Sequence, residues 1–288
     1  MQTQPQNDRL PEWMRKKNLD SAAVLAVKRM LRDRRLHTVC QSAGCPNISE
    51  CFGSGRAAFL ILGSICTRHC GFCGVEKGAP VPPDPEEPER VALMVRALGL
   101  RHAVVTSVTR DDLQDGGAGQ FAETVRRIRL SSPDSTVETL VPDFQGNPDS
   151  LRTVMESGVN VLNHNVETVP RLYPMVRPGA DFERSLGVFR LAGREYPGRL
   201  TKSGLMVGLG ETRDELIEAF KRLVDSGCEA LTVGQYIAPS RSSIPVREYV
   251  APEDFDAIRN AALETGFRRV KAGPFVRSSY RADELMSP

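Results

Sequence analysis

The sequence predicts an α/β fold, a partial (β/α)6 TIM-like barrel with N- and C-terminal extensions, and three observations predict it. Six strand-like segments alternate with helix-like segments between residues 57 and 236. Polar residues gather at the C-terminal ends of those strands, where parallel barrels build their active sites: Thr106 to Arg110, Asn163 to Glu167, Gly210-Glu211 and Gln235. Six of the seven cysteines fall within the 34 residues from Cys40 to Cys73, as two triplets, the second directly following the first strand.

The elements follow in order. Residues 1–19 are polar and irregular. Asp20 and Ser21 offer caps for a helix through AAVLAVKRMLRDRRL, with Val24, Val27 and Leu31 on one stripe. CQSAGCPNISECFGSG is rich in Gly, Pro, Asn and Ser and reads as loop and short helix wrapped around ligands. AAFLILGS (57–64) is a strand that delivers the chain to Cys66. KGAPVPPDPEEPER, with five prolines from Pro80 to Pro88, is a linker, because proline is excluded from helix interiors. Then helix EPERVALMVRALG precedes strand 102–109, GQFAETVRRIRL precedes 135–142, and DSLRTVMESG precedes 160–168. ADFERSLGVFRLAGRE precedes 200–209, and TRDELIEAFKRLVDSG precedes 229–236. Strands crossed over by helices imply a parallel sheet, and this many units suits a partial barrel better than a flat sheet. The expected organisation is an N-terminal extension (1–56), a barrel (57–250), and a C-terminal helix and extension (251–288).

A chain of 288 residues, 40% hydrophobic and 26% charged, buries a full core. The net charge of +2 implies no polyanionic partner, so nucleic acid is not expected. Between Arg9 and Arg35 nine Lys and Arg face three acids, which reads either as a docking face for an acidic partner or as a solvated helix face. No apolar run approaches the about 20 residues of a membrane span, and the opening residues lack the apolar core of a secretory signal. Cysteines at ligand spacing then point to metal rather than disulfides, and to the cytoplasm.

Cys40, Cys45 and Cys51 are spaced C-x4-C-x5-C; Cys66, Cys70 and Cys73 are spaced C-x3-C-x2-C. Each triplet is one thiolate short of a closed iron–sulfur cluster or structural zinc site. A zinc knuckle would pair C-x2-C units and supply a fourth ligand, and neither is present. An iron–sulfur cubane on three thiolates keeps one iron open for a small molecule. Gly71 and Gly74 let the second loop fold back, and His69 is expected to cover the cluster rather than ligate it. Cys228 reads as a small buried residue, and Asp111 and Asp112 as positioning or structural groups.

CTRHCGFC resembles the signature of the radical S-adenosylmethionine superfamily. The resemblance implies a [4Fe–4S] cluster on Cys66, Cys70 and Cys73, whose open iron chelates S-adenosylmethionine, and a 5′-deoxyadenosyl radical that abstracts hydrogen. It also implies a barrel of radical SAM type, with Phe72 near the adenine. GLMVGLGE (Gly204 to Glu211) resembles the glycine-rich run of the superfamily's fifth strand and implies cofactor-binding roles for Gly208 and Glu211.

The upstream triplet together with RSSY (Arg277 to Tyr280) resembles the lipoyl synthase family. PEWMRKK, the proline-rich linker and VLNHNVETVPRLYPMVRPGADFERSL look like the same family, so the likeness spans nearly the whole chain. It implies that the extensions hold an auxiliary [4Fe–4S] cluster on Cys40, Cys45 and Cys51, with Ser279 as fourth ligand. An alkoxide is a harder, poorer match to iron than thiolate, so it is releasable when the cluster is dismantled. The catalytic set implied is Cys66, Cys70, Cys73 and Ser279. The family inserts sulfur at C6 and C8 of an octanoyl chain held on a lysine of a carrier domain, such as the lipoyl domains of 2-oxoacid dehydrogenases or the glycine cleavage H protein. It uses two S-adenosylmethionine molecules, and the auxiliary cluster supplies the sulfur. Reduced ferredoxin or flavodoxin as electron donor and an iron–sulfur carrier for cluster reassembly are implied partners.

Asn163 and Glu167 are candidates for the ribose hydroxyls and methionine amine, and Arg184 for the carboxylate; each is equally readable as a satisfied barrel-mouth group. An apolar lumen (Val104, Val105, Leu140, Val161) would suit an alkyl chain. The alternatives are a biotin-synthase-like sulfur inserter or a peptide maturase, which would carry extra C-terminal cysteines or an arginine ligand. A ferredoxin-type carrier would fill each cluster with four cysteines.

Overall fold

A computed structural model describes residues 10–16 and 20–285. The strands are β1 (His37–Thr38), β2 (Ala58–Ile61), β3 (Ile65–Cys66), β4 (Glu76–Lys77), β5 (His102–Ser107), β6 (Thr136–Leu140), β7 (Val161–Asn163), β8 (Leu200–Val207), β9 (Ala230–Gln235) and β10 (Arg269–Gly273). The helices are α1 (Ala22–Asp33), α2 (Val39–Ser42), α3 (Ile48–Gly53), α4 (Glu87–Ala97), α5 (Ala118–Ser131), α6 (Pro148–Glu156), α7 (Tyr173–Val176), α8 (Phe182–Glu195), α9 (Arg213–Asp225) and α10 (Pro252–Glu264). The main sheet has the order β1-β2-β5-β6-β7-β8-β9-β10, all pairs parallel except β1 with β2. Its end strands do not pair with each other, so the barrel is open.

Each of the six predicted strands has a counterpart in β2 and β5 to β9. Every residue of β2 and β9 is buried, as strands covered on both faces must be. Local chemistry starts the helices: Ser21 accepts from Val24 N at α1, Asn147 caps α6, and Thr212 with Glu215 forms a reciprocal capping box at α9. α1 buries Val24, Val27 and Leu31 in the same core as β2.

Three features differ from the sequence expectation. The C-terminal segment is more than a helix, because β10 adds a seventh parallel strand beside β9. Its RVKAG sequence alternates polar and apolar residues over only five positions, and in the structure every one of them is half-buried. The strand expected at 160–168 ends at Asn163, and beyond it Glu167 turns to φ 63° and joins β8 only through a bridge to Leu205. The first strand ends at Ile61, because Leu62 and Gly63 take φ values of 67° and 87° and lead the chain out of the sheet. Of the irregular leader expected at 1–19, residues 1–9 and 17–19 lie outside the described residues, as do 286–288; Glu12–Met14 form one 3-10 turn.

The lumen is not apolar throughout. His102, Val104 and Thr136 line a cavity at the N-terminal ends of the strands, and Thr106, Leu140 and Gly204 line another at the C-terminal ends. Between them, by the two-residue period of β6, stands Glu138, ion-paired to Lys202 of β8 at 2.8 Å with both side chains 1% exposed. Val161 pairs in register with Glu138, whereas Val105 pairs with Phe59 on the opposite face of the sheet.

Candidate functional site

β2 delivers the loop with Cys66, Cys70 and Cys73 to the C-terminal end of the barrel, where four kinds of contact fix it. Thr67 bonds Thr109 O through both N (3.1 Å) and Oγ1 (2.9 Å), and Thr109 N donates to Cys66 Sγ at 3.3 Å. Arg68 turns inward and forms a fork on Asp111 (2.6 and 2.9 Å) with a further bond to Asp143 (2.6 Å). Gly71 N donates to Val176 O, and Ile244 N donates to Gly71 O. A side chain at Gly71 would place its Cβ 2.7 Å from Ile244 Cδ1, so the Ile244 side chain packs directly on this glycine where the chain after β9 crosses the loop. His69 is exposed. Asp111 pairs with Arg68 and Asp112 with Arg110, so both acids serve structure.

The other triplet is assembled from α2 (Cys40), the following turn (Cys45) and α3 (Cys51). Cys45 N bonds Cys40 O at 2.9 Å, and Cys51 N bonds Asn47 O at 2.9 Å. The C-terminal tail folds onto it. Asn47 Nδ2 donates to Phe275 O at 2.7 Å. Glu50 accepts from Lys16 Nζ (2.7 Å), Tyr280 OH (2.7 Å) and Arg281 Nη2 (2.7 Å), and these bonds, Lys16 foremost, hold its carboxyl down at about 2. Two sequence motifs some 230 residues apart are thereby clamped together.

All seven cysteines are free thiols. Burial, reinforced by neighbouring thiols, pushes Cys40 up to about 12 and Cys51 to about 11; burial does the same for Cys73, at about 11, and raises Cys70. Such thiols stay protonated in water, and metal binding displaces their protons.

Cys40, Cys45 and Cys51 line a cavity of about 620 Å³ with Arg277, Ser279 and Tyr280. A second cavity, of about 430 Å³, is lined by Cys66, Cys70 and Cys73 and also by Cys40 and Cys45. Among the described residues no three His, Cys, Asp or Glu groups converge on one point as for a single metal ion. The thiols instead stand around cavity walls, which suits a body of several atoms. The donor set, one triplet of thiols at each cavity, with Cys40, Cys45 and Ser279 in the walls of both, therefore fits the two [4Fe–4S] clusters that the sequence implies.

Phe72 and Glu167 line the second cavity, and Arg277 and Ser279 line both. The Ser279 hydroxyl has no hydrogen-bond partner among the described residues. Cys228 is 2% exposed, with its S–H on Ala230 O. Asn163 points to Glu138 (2.8 Å) in the lumen, and Arg184 lies 3.5 Å from Asp143; neither borders the cavity. Glu211 accepts from Gly208 N (2.6 Å) and Leu209 N (2.9 Å), so it shapes the end of β8 from outside the cavity.

Sequence reasoning missed Asn165 and Arg177. Asn165 donates to Glu167 at 3.1 Å, and among the described residues its buried Oδ1 has no partner, nor has Ser107 Oγ in the same wall. Arg177 spends Nη1 on Asn165 O, Val166 O and Tyr173 OH, and its buried Nε has no partner among the described residues. Asn165 was legible as two residues from Glu167 on an extended segment; nothing in MVRPG marks Arg177. Burial raises the Glu167 carboxyl against the opposing pull of Arg177, and burial likewise lowers Arg277. Unpartnered polar atoms and buried guanidinium groups in one wall are what a zwitterionic cofactor would satisfy.

Residues 60–223 match the model of the Radical SAM superfamily. The chain is 55% identical over 274 residues to the lipoyl synthase of Geobacter metallireducens, covering 95% of this chain and 96% of that one. To the lipoyl synthase of Caldanaerobacter subterraneus it is 54% identical, covering 97% and 98%. Among solved structures, methylornithine synthase superposes with a TM-score of 0.56 at 16% identity, covering 88% of this chain and 79% of that one. HydG, a maturase of the [FeFe]-hydrogenase, gives 0.54 at 13%, covering 88% and 62%. These two likenesses are of fold.

Proposed function

We infer that this chain, which belongs to the lipoyl synthase family of the Radical SAM superfamily, inserts two sulfur atoms at C6 and C8 of an octanoyl group held on a lysine of a carrier protein domain. The observation that carries the reading is the single cavity bordered by five cysteines from both triplets. When bound, S-adenosylmethionine and the two [4Fe–4S] clusters supply hydrogen abstraction at one and sulfur at the other. What the chain adds is proximity, by walling both ligand sets around one space.

Cys66, Cys70 and Cys73 hold the radical-generating cluster, and Cys40, Cys45 and Cys51 with Ser279 hold the auxiliary one. Phe72 offers an aromatic face to the cofactor. Glu167 and Asn165 take its hydroxyl and amine groups, and Arg177, cationic and with a free Nε, takes its carboxylate. Asn163 and Arg184 support this wall from behind, through Glu138 and Asp143. Gly208 and Glu211 keep the end of β8 closed around it. We assign residues 1–56 and 251–288 to the auxiliary site and 57–250 to the radical site. No described helix is long and apolar enough to cross a membrane. We place the protein in the cytoplasm, with reduced ferredoxin or flavodoxin as donor and an iron–sulfur carrier restoring the spent cluster.

The test is mass spectrometry of an octanoylated carrier domain incubated with reconstituted protein, reductant and S-adenosylmethionine. Dithiolated product is expected from the parent and, in reduced amount because only the hydroxyl pin is lost, from Ser278→Ala, and little or none from Ser279→Ala. Absence of any thiolated product from the parent overturns the function; normal product from Ser279→Ala removes serine ligation.

A further inference from the structure

We propose that Lys202, with Glu138 as its counter-ion, is the positioning residue that aims Ser279 at the auxiliary site, an inference resting on Ser279 as the cluster ligand. Lys202 Nζ has three protons, and the lumen supplies three acceptors: Glu138 Oε1 at 2.8 Å, Glu138 Oε2 at 3.0 Å and the carbonyl of Ser278 at 2.6 Å. Glu138 is itself held by Asn163 Nδ2 (2.8 Å) and His102 Nε2 (3.2 Å), so the ammonium stands on a grid of strands β5 to β8.

A buried ion pair is weak evidence for stability, because well-packed apolar residues do as well or better. Its product here is a location. Ser278 is pinned twice, at its carbonyl by Lys202 and at its hydroxyl by Asn165 Nδ2 (2.9 Å). Tyr280 is also pinned twice: its hydroxyl donates to Glu50 at 2.7 Å, and its amide donates to Arg277 O at 2.9 Å, which closes the turn around Ser278 and Ser279. Between these pins the Ser279 hydroxyl has no partner among the described residues, in the wall shared by both cavities. Neighbours fixed and one hydroxyl free is the arrangement a releasable ligand needs: the alkoxide is presented by its backbone rather than by bonds of its own. The Lys202–Glu138 pair acts on Ser279 across a single peptide unit.

The experiment removes the pair in balance, as Lys202→Met with Glu138→Gln, so that no orphaned charge is left in the lumen. Both this variant and Ser279→Ala are built in a Cys66, Cys70 and Cys73→Ala background, reconstituted, and followed by Mössbauer spectroscopy of the remaining cluster. Hydrogen exchange of the tail peptide 274–285 is measured in parallel. Tail exchange about tenfold faster with β6 and β8 unchanged, and a unique-iron signal altered as in Ser279→Ala, is the expected result. General loosening of β6 and β8 marks a merely structural role and overturns the proposal. So does an unaltered tail or an unaltered spectrum while Ser279→Ala changes it. If Ser279→Ala itself leaves the spectrum unchanged, the ligand reading is what fails, and tail exchange alone decides whether the pair positions the segment.

Discussion

Replacing Arg68 by methionine should destabilise the protein by about 3 kcal/mol and loosen the loop that carries Cys66 and Cys70. The magnitude follows from what the guanidinium leaves behind. Its side chain is 7% exposed, and its partner Asp143 is 0% exposed; its other partner, Asp111, is 30% exposed. Methionine keeps most of the aliphatic volume, so little is lost to a cavity. The largest cost is that of a buried carboxylate without its cation, about 3–5 kcal/mol. The Asp111 arm adds at most about 1 kcal/mol, because that group reaches solvent. Arg184 Nε, 3.5 Å from Asp143, compensates in part and draws the sum to the lower end. At roughly 2–4 °C per kcal/mol for a domain of this size, the melting temperature should fall by roughly 6–12 °C. The assay is thermal unfolding at neutral pH before iron reconstitution, for Arg68→Met, Asp143→Asn and the double variant. The double should cost at least about 1.5 kcal/mol less than the sum of the singles. A melting temperature within about 2 °C of the parent, or strict additivity, would refute the idea that a buried fork anchors this loop.

Replacing Cys66, Cys70 and Cys73 together should leave about half of the about eight irons expected for two four-iron clusters and abolish reductive cleavage of S-adenosylmethionine; cleavage that persists would show the radical site misassigned. Replacing Cys40, Cys45 and Cys51 should preserve some 5′-deoxyadenosine formation yet yield no carbon–sulfur bond by mass spectrometry. Burial, with Arg177 next, lowers His164 from 6.5 to about 4, so the unfolded chain binds more protons in that window. Stability should be complete above about pH 6.5 and fall by about 3 kcal/mol as pH drops towards about 4. In urea titrations His164→Gln should flatten that slope, and an unchanged slope counts against it. Gly208→Ala, at φ 93° with its Cβ 2.4 Å from Glu248 O, should lower the urea midpoint and weaken cofactor binding; an unchanged midpoint would show that the end of β8 tolerates a side chain.

Element type was legible because helix and strand periods are local. β2 and β5 to β9, their helices and both cysteine triplets were readable from spacings of a few residues. β10 escaped because its alternation, RVKAG, lasts only five residues and ends in glycine, too short a run to stand out beside the helix before it. The pairing of RSSY with the upstream triplet was readable only through family resemblance; its physical means, Glu50 holding Lys16, Tyr280 and Arg281, joins groups some 230 residues apart. Asn163 and Arg184 were plausible as cofactor contacts because both are polar near strand ends. Only the tertiary structure turns Asn163 into the lumen and Arg184 onto Asp143 and brings Asn165 and Arg177 to the cavity wall. Residue type and short spacing fix which candidate ligands share a loop and which segments are helix or strand. Which serine is bonded to Asn165 and Lys202, and which buried charge pairs with that lysine, was decided by side-chain direction and long-range pairing, which short-range spacing does not encode.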